Sequence, residues 1–185
     1  DRYFSAITGL MVSQQLRRIA PHDDEADVLR GGMLLSFGMH PQAAELFERL
    51  IQHHTTPAVR DRAWFYLARI RHQRGLLVPA MEALSRISAP LQGPLEDDRQ
   101  LLHAQVLLAQ QDYAGAAAVL EAFKGSADAS QFARFNLGVA WVKADPHDGK
   151  ALNHPDFERF WSTCEDLEMT VMFHVGGARA AMHPG

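Results

Sequence analysis

A recurring turn constrains this chain more than any other feature: Phe37-Gly38, Arg74-Gly75 and Gln110-Gln111 follow one another at intervals of 37 and then 36 residues. The same side chains return behind each turn. Gly38 is followed by Ala43, Phe47 and Leu50, Gly75 by Ala80, Leu84 and Ile87, and Gln111 by Ala116, Leu120 and Phe123. Ahead of the middle turn, Trp64, Leu67, Ala68 and Arg71 stand at i, i+3, i+4 and i+7, the period of an amphipathic helix. Gly75 lies where a helix C-terminus calls for positive φ, and Pro79 is tolerated only in the first turn of the helix that follows. The stretch from Ala63 to Ile87 therefore predicts two antiparallel helices joined at Arg74-Gly75. Such a short hairpin cannot enclose its own apolar face, so it must stack on copies of itself.

Trp64, Leu67-Ala68, Gly75, Ala80 and Leu84 resemble the marks of a tetratricopeptide repeat, whose ideal unit is ~34 residues. Gly31, Gly38, Ala43 and Phe47 carry the resemblance in the preceding unit, and Ala104, Tyr113, Ala116 and Leu120 in the next. Leu137-Gly138 opens a further first helix ending near Ala144. The fold expected over residues 1–145 is an all-α, tetratricopeptide-like solenoid of helical hairpins. Its units fall near 1–20, 24–57, 61–94 and 97–130, with a partial unit over 131–144. The stripe Tyr3, Ala6, Ile7, Leu10 and Met11 reads as the second helix of an earlier unit, and so as an excerpt of a longer array.

Composition excludes several classes of function. Eighteen Lys and Arg against 22 Asp and Glu leave a net charge of −4, which gives no reason to expect a nucleic acid or an anionic membrane as partner. No apolar run approaches the ~18 residues of a membrane span. The single cysteine, Cys164, rules out an internal disulfide. Asp24-Glu25-Ala26-Asp27 spells the DEAD box of RNA helicases, but no phosphate-cradling glycine loop accompanies it. These acids read instead as the start of a helix, where they complement the dipole. Gly31 reads as a close approach between helices. His53 and His54 are adjacent and so point different ways, which makes them a poor chelate.

The working surface of such an array is the groove lined by the first helices. In the Trp64 helix the residues opposite the packed face are Arg62, Phe65, Arg69 and His72. The resemblance places Val28 and Leu35 beside them in the unit before, and Leu101, Gln105 and Leu108 in the unit after. A mixed apolar and cationic groove suits a partner peptide with an apolar anchor and a carboxylate, which Arg can hold bidentately. The expected function is that of a non-enzymatic protein-interaction module or scaffold with no cofactor.

Beyond Asp145-Pro146-His147-Asp148-Gly149 the repeat offsets are lost. The C-terminal segment, 146–185, predicts a helix over 155–168, with Phe157, Phe160, Trp161, Cys164 and Leu167 on one side, then a strand over 170–175 ended by Gly176-Gly177. Residues 153–177 resemble a helix-plus-strand unit of the metal-dependent amidohydrolases, in the branch that includes decarboxylases. That resemblance implies an alternative function in which His174 is a metal ligand at a strand end. A catalytic metal needs about three converging protein ligands, and the sequence supplies no partners for His174. The exposed ends of the solenoid and the C-terminal strand are the surfaces for self-association. The opening Tyr-Phe-Ser-Ala-Ile-Thr is similar to uncharacterised repeat proteins of the bacterial cell envelope, which implies the periplasm.

Overall fold

All three recurring turns close a helix by one mechanism. In the computed structural model, which describes residues 2–53, 55–144 and 155–166, Gly38 and Gly75 both lie at φ 72° and Gln111 at φ 65°. The N–H one residue further reaches back to a carbonyl in the last helical turn: Met39 to Leu34, Leu76 to Arg71 and Asp112 to Leu107. This is the Schellman closure, which satisfies the orphaned carbonyls and reverses the chain. The hairpins so made are α2 (Asp23–Ser36) with α3 (His40–Gln52), α4 (Pro57–Gln73) with α5 (Leu77–Ser85), and α6 (Pro94–Ala109) with α7 (Tyr113–Glu121). Helix α1 (Arg2–Gln15) precedes them; α8 (Ala127–Ala144) and α9 (Glu158–Asp166) follow.

Small residues at fixed register let the hairpins close up. Ala43, Ala80 and Ala116 are fully buried, as are Ala68 and Ala104, the counterparts of Gly31. A Cβ on Gly31 would stand 2.5 Å from the Phe47 ring, so only glycine fits there. Phe47 in turn stacks on Tyr66 of the next hairpin, ring centroids 5.0 Å apart. Three buried clusters follow along the array: Val28, Phe47 and Ile70 in one, Phe65, Leu84 and Val106 in the second, Leu120 and Leu137 in the third. Trp64 packs half-buried against the second. No single hairpin owns a core, as stacking requires.

A second device ties two of the units together. Asp61, 3% exposed, accepts from the Ser88 N–H at 3.1 Å, the Ser88 hydroxyl at 2.8 Å and the Ala89 N–H at 3.2 Å. One unit later Asp97 accepts from the Ser126 N–H at 2.9 Å. The first helix thereby holds the loop that leaves the second.

One expectation is revised at the C-terminal end. The helix expected over 155–168 begins as a 3-10 turn, Pro155–Phe157, before α9. Helix α9 packs on α8, and Phe157 and Cys164 are buried. The described residues contain no strand, and the strand expected over 170–175, with His174, lies outside them. On α1, Ile7 is buried while Met11 and Val12 are exposed, as is Leu16 just after it.

Candidate functional site

Helix α4 is the middle first helix, flanked by α2 on one side and α6 on the other. Along the α2 seam, Arg62 pairs with Glu25, and the Tyr66 ring stands over Gly32, about 3.9 Å from where a Cβ would sit. Along the α6 seam the surface opens into a cleft of about 320 Å³. Phe65, Arg69 and His72 line it from α4, and Asp98, Leu101 and Gln105 from α6.

This cleft unites five of the nine residues expected in the groove: Phe65, Arg69, His72, Leu101 and Gln105. The other four lie elsewhere. Arg62 turns to Glu25 across the opposite seam. Val28 is 3% exposed, inside the first cluster, and Leu35 packs against that cluster. Leu108 is half-buried near the end of α6 and does not line the cleft.

Phe65 and Val28 are corrections. Phe65 is only 1% exposed and forms part of the core, showing the cleft no more than its edge. A helix packed on one side would leave that position wet. Here α4 has neighbours on several sides, and burial runs through Val59, Asp61, Ala63, Phe65, Leu67, Ala68 and Ile70. The buried stripe is therefore wider than the a/d-type face that periodicity marks.

Asp98 is the cleft residue that periodicity alone does not single out, although a register signal exists, since it stands 36 residues after Arg62 as Arg62 stands 37 after Glu25. Asp98 and Arg69 are both exposed. Among the described residues no ion pair joins them, and neither side chain makes a hydrogen bond. Burial pushes the His72 imidazole below its ordinary value, so at neutral pH it enters the cleft uncharged. Burial also raises the Tyr66 phenol, against the opposing pull of Arg62 and Arg69. Beside the cleft, Arg99 hydrogen-bonds Glu96 and holds its carboxyl down at about 2, and Glu96 also accepts from the Leu91 N–H at 2.8 Å. The entry to α6 is thus fixed, and the cleft wall with it.

Among the described residues no three His, Cys, Asp or Glu side chains converge as a metal site, and no helix is long and apolar enough to cross a membrane.

No family model matches this chain, and no curated protein does either. Solved structures do. The chain is similar to a Podosopora anserina protein described by its nearly identical TPR-like repeats, at 15% identity and a TM-score of 0.62, over 90% of this chain and 87% of that one. A point variant of that protein gives a TM-score of 0.64 at 15% identity, over 90% and 85% of the two chains. At this identity the likeness shows the fold: a TPR-like array of helical repeats. Nothing in these matches supports the amidohydrolase resemblance of residues 153–177.

Proposed function

We propose that this chain is an interaction module that holds a segment of a partner protein in the cleft between α4 and α6. The observation that carries the reading is the convergence of an uncommitted cation, Arg69, with Leu101, Gln105 and the edge of Phe65 on one concavity between first helices. At about 320 Å³ the cleft sits at the bottom of the ~300–1,000 Å³ range that encloses whole small ligands, so it suits one anchoring side chain of a larger chain. An apolar anchor enters against Leu101, and Arg69 takes a neighbouring carboxylate in a charge-assisted pair. A neutral His72 adds a hydrogen-bonding group without a competing charge.

The reading is tested by selecting binders from a random peptide library on the purified chain, then measuring the selected peptides against Arg69→Glu and Gln105→Ala. Both residues are exposed, so thermal unfolding is expected to stay near that of the parent. Affinity is expected to fall about tenfold or more for Arg69→Glu and less for Gln105→Ala. Selected peptides that bind both variants as well as the parent would place the working surface elsewhere.

A further inference from the structure

We infer that the segment this cleft takes carries an acidic side chain beside a basic one, the acid on Arg69 and the base on Asp98. The inference rests on the cleft's being a partner site and specifies the partner's chemistry.

Glu25, Arg62 and Asp98 occupy equivalent positions on three successive first helices. Arg62 lies one repeat from an acid in each direction. It is committed to Glu25, with its guanidinium directed at that carboxylate. The α2–α4 seam is thereby neutralised, and Asp98 is left without the cation that the repeat geometry would give it. Arg69, on the other wall, is in register with Gly32 and Gln105, neither of which carries a charge. Both uncompensated charges line the same cleft and do not pair with each other.

Two opposite charges on facing walls that do not pair with each other select against a uniformly acidic partner. Such a partner meets Asp98 as a like charge, and a uniformly basic one meets Arg69 in the same way. A segment with one charge of each sign satisfies both walls and leaves neither carboxylate nor guanidinium unpaired on closure. Neutral His72 adds no charge to this balance.

The test extends the library selection to Asp98→Lys and to the double exchange Arg69→Glu with Asp98→Lys. The parent is expected to enrich segments with an acidic and a basic residue flanking an apolar one. Asp98→Lys is expected to lose the basic position from its selected pool and to bind parent-selected peptides at least about tenfold more weakly. The double exchange is expected to select the same pair with acid and base interchanged. An enriched parent pool without a basic position, or a pool unchanged by Asp98→Lys, overturns this inference and leaves the partner site standing. A library that yields no binder at all removes the partner site, and the inference with it.

Discussion

Helix α4 meets its two neighbouring first helices in different ways. Toward α2 the seam is shut: Arg62 pairs with Glu25, Tyr66 lies over Gly32, and the Phe47 ring stacks on Tyr66. Toward α6 it is open, with Arg69 and Asp98 on its walls. Helix α4 packs less closely on α6 than on α2, and the side chains differ at three register positions. Glu25, Val28 and Gly32 occupy them on one side, while Asp98, Leu101 and Gln105 are their counterparts on the other. A repeat array therefore makes a site by withholding, at one seam, the pairing and filling that it supplies at the next.

The largest effect is expected at the ring beside the shut seam. Phe47→Ala removes a fully buried side chain and the stack on Tyr66, and is expected to cost about 3–5 kcal/mol in urea unfolding. A loss under about 1 kcal/mol would mean that the seam is not held by this contact. Asp61→Ala reaches the open side, since it frees three hydrogen-bond donors in the 88–89 loop on the way to α6. It is expected to cost about 2–3 kcal/mol, with Asp61→Asn recovering part, by the same measurement. At the far end of α6, Gln111 holds positive φ without being glycine. Gln111→Gly is expected to raise stability by about 0.5–1 kcal/mol, and the thermal midpoint with it. The smallest effect on stability belongs to Glu25→Gln, below about 1 kcal/mol for a partly exposed pair. This variant sharpens the comparison most, because it releases Arg62. Crystallography of Glu25→Gln is expected to show Arg62 turned toward Asp98, and peptides selected for a basic residue are expected to weaken.

Local chemistry is legible from the chain. The turns at Gly38 and Gly75, the limit Pro79 sets on α5, and the small slot at Gly31 each follow from the sterics of one or a few residues. Even Gln111 is legible, through its spacing from Gly75 and despite its residue type. The face of α4 is less so. Periodicity marks which positions share a side, yet the burial of Phe65 depends on how many neighbours the helix has, and those lie tens of residues away. The choice Arg62 makes between Glu25 and Asp98 is of the same kind: sequence spacing puts an acid a repeat away in each direction and cannot rank them.

What the sequence determined by itself is the repeating hairpin, because helix period, turn stereochemistry and the need to cover an apolar face are all short-range or additive terms. Which seam closes and which stays open was decided only in three dimensions. Charge pairing and cleft volume depend on distances between side chains from different units, and those are set by the packing of the whole array.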